Sequence, residues 1–293
     1  MVLIPFVLTC DDPYFKYANI VITSVMENRN TDYHYEFNIL SEFISEENQN
    51  ITIQQLKKYP NTSIRFIELD SFDPKRFFLN SYMSASTYYR FYIPEVFSDY
   101  NRIIYLDCDL IVDYDISSLH TIDFEDKLGL ACPSPYIHNI IKSGGNENFP
   151  LSYFTQTLGM DQPLDYFNAS VMVYNLKKIN KDGIAPKFFT ALNEIPEPKL
   201  QDQDILNSVF SRNGRIKLID QKFNNTKVFK ITKRRIILNK IKKLLKINDS
   251  KRWFYIYHYV GKNKPWKSQR VDNELFYFYA KKSPFYNSII NDN

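Results

Sequence analysis

Cysteine is scarce in this chain, which has three cysteines, Cys10, Cys108 and Cys132, among 293 residues. They stand far apart and form neither a Cys-x-x-Cys pair nor any spacing typical of zinc ligands. This excludes a zinc module of the usual kind. It favours a reduced, cytoplasmic setting for the protein.

Long apolar runs are also missing. No stretch approaches the length of a membrane-spanning segment, so any contact with a membrane must be peripheral. The apolar opening, residues 1–8, has no basic region before it and leads directly into polar residues 9–14. This favours a first buried strand over a signal peptide. The chain also lacks a recognisable DNA- or RNA-binding motif, and we expect no nucleic-acid partner.

Positive charge is concentrated in one segment. Residues 227–252 contain 11 of the 37 basic residues but only one of the 33 acidic residues, so the remainder of the chain is acidic in net charge. Within this segment, Ile237, Leu238, Ile241 and Leu245 recur at helical spacing among lysines. Such a helix can pack on its own protein or lie on an anionic membrane, and the sequence leaves both interpretations open.

Strand-like and helical patterns alternate along the chain. Apolar runs typical of strands occupy residues 4–10, 35–40 and 64–69, and helical spacing marks residues 17–28 and 51–59. The hydrophobic content of 44% is sufficient for a sizeable core. The alternation predicts an α/β fold in which a mainly parallel central sheet is flanked by helices on both faces.

The most informative stretch is residues 101–112. It is an almost unbroken apolar run and predicts a strand, buried on both faces, that presents two carboxylates at its end. Alternate residues of an extended chain point the same way, so Asp107 and Asp109 can converge on one hard cation while Cys108 points elsewhere. Mg²⁺ or Mn²⁺ at the carboxyl end of a central strand is one interpretation. Two ordinary turn carboxylates are the other.

The segments on either side of this run add further candidates. Arg90 lies on a predicted helix that ends before Pro94, and it could pair either with phosphate or with a structural acid. Residues 128–132 predict a short strand. Residues 133–163 then predict a long loop, which is either a functional lid or a disordered insertion.

Three further segments carry polar candidate residues. Residues 165–176 lead from polar positions into another buried strand. Residues 201–207 predict a helix whose first turn can direct polar side chains towards a ligand, although acids there are also ordinary capping residues. Residues 256–266 supply an imidazole at His258, a glycine that permits close backbone approach, and a lysine at Lys264.

Taken in order, these segments resemble the retaining, GT-A-fold glycosyltransferases of family 8. This group includes bacterial lipooligosaccharide α-galactosyl- and α-glucosyltransferases and glycogenin. The resemblance extends from Asp11 to about Trp266. It rests on Asp-Asp-x-Tyr, Thr-Tyr-x-Arg before the Asp-x-Asp, Tyr-Phe-Asn-Ala-x-Val, Gln-Asp-Gln-Asp-x-x-Asn and His-Tyr-x-Gly-x-x-Lys-Pro-Trp. Each motif is weak alone, and their common order makes the signal strong.

The resemblance implies a GT-A fold with a Rossmann-like, mainly parallel sheet. It implies a metal-dependent retaining enzyme that moves glucose or galactose from a UDP-sugar to a hydroxyl of a glycan or glycolipid, as in the synthesis of bacterial lipopolysaccharide or another cell-surface glycan. Residues 1–226 are then the nucleotide-sugar-binding catalytic domain, and residues 253–293 are its C-terminal part with a tail. Residues 227–252 face the acceptor or the inner face of the membrane.

The resemblance also implies roles for individual residues. Asp107, Asp109 and His258 correspond to the ligands of Mn²⁺, for which Mg²⁺ is an alternative. Asp202 and Gln203 correspond to the catalytic positions. The residues that correspond to the nucleotide-sugar-binding positions are Thr9, Asp11, Tyr14, Arg90, Asp107, Cys108, Asn168, Ala169, Asp202, Gln203, Gly261 and Lys264.

Other interpretations stay open at this point. The amide of Gln203 is a poor nucleophile, which favours attack by the acceptor on the face from which UDP departs over a covalent intermediate. Pro13 and Ser170 depart from the residues common in the family and leave the choice of donor sugar undecided. A catalytically silent nucleotide- or glycan-binding module and a peripheral membrane scaffold are the alternative functions. A nucleotidyltransferase would leave the segment around His258 without a role.

Overall fold

The computed structural model describes most of the chain. The described residues are 1–69, 72–74, 77–79, 84–226, 234, 236–238, 241, 254–262, 264–267 and 273–291.

A seven-stranded sheet lies at the centre, in the order β3-β2-β1-β4-β7-β6-β8. Strand β7 runs antiparallel to both of its neighbours, and the other neighbouring pairs are parallel. Strands β5 and β9 pair antiparallel in a separate two-stranded sheet. The strands are β1 Val2–Thr9, β2 Tyr33–Ser41, β3 Thr62–Glu68, β4 Ile103–Leu106, β5 Leu110–Val112, β6 Gly129–Pro133, β7 Phe167–Tyr174, β8 Ile216–Leu218 and β9 Ile256–His258.

Helices connect and cover the strands. The α-helices are α1 Phe15–Asn28, α2 Glu46–Leu56, α3 Ile93–Val96, α4 Pro135–Lys142, α5 Leu176–Lys181, α6 Ala185–Glu194, α7 Asp202–Phe210, α8 Glu274–Ala280 and α9 Tyr286–Asn291. Short 3₁₀ helices are Asp12–Tyr14, Ala85–Tyr92, Ser117–His120, Pro163–Asp165, Arg212–Gly214, Gln221–Phe223 and Pro265–Lys267, and Tyr153–Thr157 forms a π-helical turn.

The central strands are buried on both faces. In β4, Ile104 and Leu106 belong to the core cluster that contains side chains of α1 and α8, whereas Ile103 and Tyr105 belong to the cluster that contains side chains of α6 and α7. Alternation along an extended chain produces this division. The predicted α/β fold, with a mainly parallel sheet flanked by helices on both faces, is confirmed.

The prediction of one strand over residues 101–112 is wrong in its extent. Strand β4 ends at Leu106 and β5 begins at Leu110, and the two strands belong to different sheets. The residues between them therefore form a turn at the sheet edge. Apolar periodicity continues through the run because both short strands are fully buried, so the pattern alone does not reveal the break.

Two further predictions are corrected. The helix that carries Arg90 does end before Pro94, but it is the 3₁₀ helix Ala85–Tyr92, and Pro94 itself lies in the first turn of α3, where a missing N–H costs nothing. Residues 133–163 are not the continuous loop that the sequence predicts, and they are not a disordered insertion. They contain α4 and the π-helical turn, and Phe149 and Phe154 from this segment are buried in the core.

The basic segment, residues 227–252, lies largely outside the described residues. Of its members, residues 234, 236–238 and 241 are described and have helical backbone. Ile236 is buried in the core cluster, and Ile237, Leu238 and Ile241 are exposed. In the part of the chain that the structure describes, no helix combines the length and apolar character of a membrane span.

Candidate functional site

The predicted site residues gather at one edge of the central sheet. The carboxyl ends of β1 and β4 lie there. Because β7 runs antiparallel to β4, its first residues lie beside the end of β4, and the backbone N–H of Asp107 donates to the carbonyl oxygen of Ser170 at 2.9 Å. Strand β9 brings in His258 by pairing it with Leu110. The strand order thus joins segments that are far apart along the chain.

Asp107, Asp109 and His258 form the candidate metal centre. One donor atom from each lies within 4.8 Å of the other two. A ligand set of two carboxylates and one imidazole suits Mn²⁺ and can also bind Mg²⁺. Asp109 Oδ1 is buried, accepts no hydrogen bond within the described residues, and lies 3.3 Å from His258 Nε2. A buried acceptor without a donor is costly, and a divalent cation would satisfy it. These residues therefore fit the metal that the resemblance implies.

A lysine lies beside this group. Lys264 Nζ donates to Asp109 Oδ2 at 2.5 Å and to the carbonyl oxygen of Tyr259 at 2.7 Å. Burial raises the pKa of the Asp109 carboxyl, but the neighbouring Lys264 and His258 side chains outweigh it and hold this pKa below its ordinary value. Gly261 has a φ of 75°, which favours glycine, and this turn carries the chain from β9 back towards Asp109.

Arg90 is buried and joins two parts of the site. Its Nη2 lies 2.6 Å from Asp107 Oδ1, its Nε lies 3.1 Å from Asp202 Oδ2, and its Nη1 donates to the carbonyl oxygen of Ala169 at 3.1 Å. The guanidinium also lies over the ring of Tyr105, at 4.3 Å. Burial lowers the pKa of Arg90, but the two acids more than compensate and raise it above its ordinary value. Of the two interpretations of Arg90, the structure shows pairing with acids.

Asp202 begins helix α7 and is held at both carboxylate oxygens. Thr87 Oγ1 donates to Asp202 Oδ1 at 2.6 Å, and Arg90 lies against Oδ2. Burial raises the pKa of Asp202 to about 6, although Arg90 and Thr87 oppose this shift. The preceding residue, Gln201, has a φ of 51°, which is uncommon for a residue with a side chain. The start of α7 therefore combines a buried acid with a strained backbone.

Gln203 is held at both ends of its amide. Its Oε1 accepts the backbone N–H of Ala169 at 3.2 Å, and its Nε2 donates to the hydroxyl of Tyr166 at 3.1 Å. That hydroxyl in turn donates to Asp204 Oδ1 at 2.5 Å, and Asp204 is fully buried. The orientation of the Gln203 amide is thus set by a chain of hydrogen bonds that ends on a buried carboxylate.

Two of the expected uridine-binding residues lie at the first 3₁₀ helix: Asp11 caps its N-terminus and Tyr14 is its last residue. Asp11 Oδ1 accepts the backbone N–H of Tyr14 at 3.0 Å, and Asp11 Oδ2 accepts a hydrogen bond from Ser84 Oγ at 2.9 Å. The Tyr14 ring packs edge-on against Trp266, with centroids 5.9 Å apart. Burial raises the pKa of Tyr14 well above its ordinary range. The 3₁₀ helix Pro265–Lys267 therefore contacts Tyr14, one of the residues expected at the uridine.

Thr9 and Cys108 lie beneath these residues. Thr9 Oγ1 is 3.2 Å from the hydroxyl of Tyr105, and Cys108 Sγ lies 3.5 Å from the carbonyl oxygen of Thr9. Cys108 therefore points towards β1, away from the candidate ligands Asp107 and Asp109. The neighbouring thiol of Cys10 and burial raise the pKa of Cys108. This thiol is a packed, protonated group.

Tyr105 and Asn224 are among the residues that contact the site and that the sequence analysis did not single out. Tyr105 donates to Asp107 Oδ1 at 2.5 Å, and its position two residues before Asp107 in an extended run could have indicated this. Asn224 contacts the imidazole of His258, with Asn224 Oδ1 at 3.1 Å from Nδ1. No periodicity or spacing connects Asn224 with His258, because only the tertiary fold brings them together.

Comparisons with known proteins show the family and the fold. The model of glycosyl transferase family 8 matches residues 5–270. A putative glycosyltransferase of Haemophilus influenzae is 29% identical over 262 residues, covering 89% of this chain and 72% of the relative. The lipopolysaccharide 1,2-glucosyltransferase of Escherichia coli is 28% identical over 260 residues, covering 87% of this chain and 71% of the relative. The crystal structure of the galactosyltransferase LgtC with donor and acceptor sugar analogues has a TM-score of 0.72 at 25% identity, covering 97% of this chain and 95% of that chain.

Proposed function

Because the chain belongs to glycosyl transferase family 8, we propose that it is a metal-dependent, retaining hexosyltransferase that uses UDP-glucose or UDP-galactose. The family resemblance and the GT-A fold are confirmed, and the donor, metal and linkage are the proposal. The proposed acceptor is a hydroxyl of a cell-surface glycan or glycolipid. The names of the glucosyltransferase and galactosyltransferase relatives support a hexose donor and a glycan acceptor. The proposed location is the cytoplasm, at the inner face of the membrane if the basic segment binds there.

The convergence of Asp107, Asp109 and His258 beside Lys264 carries this proposal. Breaking the anomeric bond of a UDP-sugar leaves negative charge on UDP. A divalent cation held by the three ligands would supply positive charge against this leaving group. Lys264 supplies a second positive charge at the same place, and charge positioned in advance is the usual way in which a site favours such a step.

Asp202 and Gln203 would orient the donor sugar in this proposal. Asp202 is held by Thr87 and Arg90, and Gln203 by Ala169 and Tyr166. Because these contacts hold both side chains, neither Asp202 nor Gln203 is free to act as a nucleophile on the donor sugar. We therefore favour a front-face step: the acceptor oxygen bonds to the anomeric carbon, the bond from that carbon to the phosphate oxygen breaks, and the departing oxygen takes the acceptor proton. A trapped glycosyl adduct on either residue would contradict this step.

Release of UDP from a panel of UDP-sugars, with Mn²⁺ or with EDTA, tests the function. The wild type is compared with Asp109→Ala, which removes one ligand, and with Asp123→Ala, which removes an exposed carboxylate elsewhere. We expect slow hydrolysis of one UDP-hexose, only with metal, by the wild type and Asp123→Ala.

Because hydrolysis without an acceptor is slow, Mn²⁺-dependent UDP binding is measured on the same samples. If the wild type neither binds UDP nor releases it, the enzyme proposal fails, and a silent module of this fold remains. If Asp109→Ala retains both, the assignment of the metal centre fails.

A further inference from the structure

We propose that Asn224 is a positioning residue that fixes which nitrogen of His258 faces the candidate metal centre. The same amide connects His258 to Asn168, one of the residues expected at the donor sugar. This inference rests on the proposed function and assigns a role to a side chain that no motif indicates. Asn224 is fully buried, and both ends of its amide are engaged.

The orientation of these amides can be worked out from a backbone donor. The N–H of Ser170 can only donate, and it lies 3.2 Å from the side-chain amide of Asn168. The Asn168 atom that faces it must therefore be Oδ1. Asn224 lies 2.7 Å from this same oxygen, so the Asn224 atom in contact must be the donor Nδ2. The other end of the Asn224 amide is consequently its oxygen.

That oxygen determines the tautomer of His258. Asn224 Oδ1 lies 3.1 Å from Nδ1 of the imidazole and can only accept, so Nδ1 carries the proton. In the neutral ring, Nε2 is then left with its lone pair. Nε2 lies 3.3 Å from the buried Asp109 Oδ1 and 3.2 Å from the hydroxyl of Ser170, which can donate to it. Asn224 thus prepares Nε2 as a ligand on the side where the two carboxylates lie.

The same hydrogen bonds link the metal centre to the donor sugar. Asn168 Oδ1 is occupied by Asn224 and by the backbone of Ser170. Within the described residues, Asn168 Nδ2 makes no hydrogen bond, so it can donate to a hydroxyl of a bound sugar. Asn224 therefore orients two groups at once: Nε2 of His258 as a ligand for the metal, and Nδ2 of Asn168 as a donor for the substrate.

Two substitutions separate these effects. Asn224→Leu removes both hydrogen bonds, and we expect affinity for Mn²⁺ in the presence of UDP to fall about 10- to 100-fold. Asn224→Asp keeps an acceptor for Nδ1–H but cannot donate to Asn168. It should keep Mn²⁺ affinity within about threefold of the wild type while KM for the UDP-sugar rises about tenfold, because the Asn168 amide loses its fixed orientation.

Free Mn²⁺ measured by electron paramagnetic resonance gives the affinity, and thermal melting gives the stability. Asn38→Leu is the matched control, because Asn38 is a fully buried asparagine on β2 that donates to the backbone of Phe6, away from the site. The control should lose stability but not Mn²⁺ affinity. Unchanged Mn²⁺ affinity in folded Asn224→Leu, or equal loss in Asn224→Asp and Asn224→Leu, would overturn the inference.

A measurement on the wild type keeps the inference testable if Asn224→Leu does not fold. With ¹⁵N-labelled histidine, metal-free wild type at alkaline pH should show a protonated Nδ1 and an unprotonated Nε2 at His258, and the His258→Gln spectrum identifies the signals. The reverse tautomer would contradict the inference. Failure of the wild type to bind Mn²⁺ with UDP would instead contradict the proposed function, which separates the two failures.

Discussion

At the scale of single residues, Asp202 at the start of α7 is a carboxyl whose pKa is raised by burial. A carboxyl with a pKa of about 6 is partly protonated under mildly acidic conditions, and in the proposed role of Asp202 the carboxylate form can accept hydrogen bonds from sugar hydroxyls at both oxygens. Thr87 and Arg90 act against protonation, because each stabilises the charged form. Activity at this site should therefore depend on how well these two neighbours hold the carboxylate.

We predict that kcat/KM for the UDP-sugar rises as the pH increases through about 6, because the pKa of Asp202 is raised and its carboxylate fraction grows over this interval. Thr87→Val removes a donor that lowers this pKa, so the rise should move to higher pH by about one unit. The pH dependence of initial rates checks both expectations. Asp202→Asn should show no rise in this range. An identical profile for the wild type and Thr87→Val would contradict the assignment.

At the scale of elements, a buried polar network joins α1 to α2. Asn19 Nδ2 donates to Thr52 Oγ1 at 3.0 Å and to Gln55 Oε1 at 2.7 Å, and Gln55 Nε2 donates to Thr23 Oγ1 at 2.7 Å. Ser283, after α8, donates to Asn19 Oδ1 at 2.7 Å. Because each polar atom is removed from water, these bonds fix the mutual positions of the helices that cover one face of the sheet.

We predict that Asn19→Leu lowers the free energy of unfolding by about 2–3 kcal/mol, because the buried acceptors Thr52 Oγ1 and Gln55 Oε1 lose the amide donor of Asn19. Urea unfolding at equilibrium measures the change. Asn50→Ala, an exposed substitution on α2, is the control and should stay within about 0.5 kcal/mol of the wild type. If the urea midpoint of Asn19→Leu equals that of the wild type, the network does not contribute to stability as we propose.

At the scale of the whole molecule, charge is distributed unevenly. The basic segment, residues 227–252, accompanies an otherwise acidic chain. In its described part, Ile236 is 2% exposed and packs in the core, whereas Ile237, Leu238 and Ile241 are 56%, 46% and 47% exposed. Part of the segment thus packs on the protein, and part presents apolar side chains outward. Both of the interpretations that the sequence leaves open have a basis in these residues.

We predict that charge reversal at Lys240, Lys242, Lys243 and Lys246 weakens binding to phosphatidylserine vesicles by about tenfold or more, while turnover of a soluble acceptor persists. Each lysine near an anionic surface contributes about 1 kcal/mol. Vesicle co-sedimentation measures the binding.

The matched control applies the same change of net charge elsewhere. It reverses the exposed residues Lys57, Lys58, Lys142 and Lys187, and it should bind vesicles as the wild type does. Equal binding by the Lys240, Lys242, Lys243 and Lys246 variant and the wild type would remove the membrane proposal.

The sequence by itself determined the class of fold and the family of this protein. Apolar periodicity is a local property, so it identified β1 to β3 and the mainly parallel α/β class. Motif order identified the family and brought Asp107, Asp109 and His258 together as candidate ligands, which the structure places within reach of one ion. Periodicity did not reveal the break between β4 and β5, because two short buried strands in succession look like one longer strand. It also missed the helices in residues 133–163, because short elements leave a pattern that resembles a loop.

Only the tertiary structure decided the contacts between distant segments. The antiparallel direction of β7 sets Ser170 beside Asp107, and the pairing of β9 with β5 sets His258 beside Asp109. The contacts of Arg90 with Asp107 and Asp202, and of Asn224 with His258, likewise join segments that are distant in the chain. A hydrogen bond between residues that are far apart in sequence leaves no periodic signal, since its geometry depends on how the intervening chain is packed.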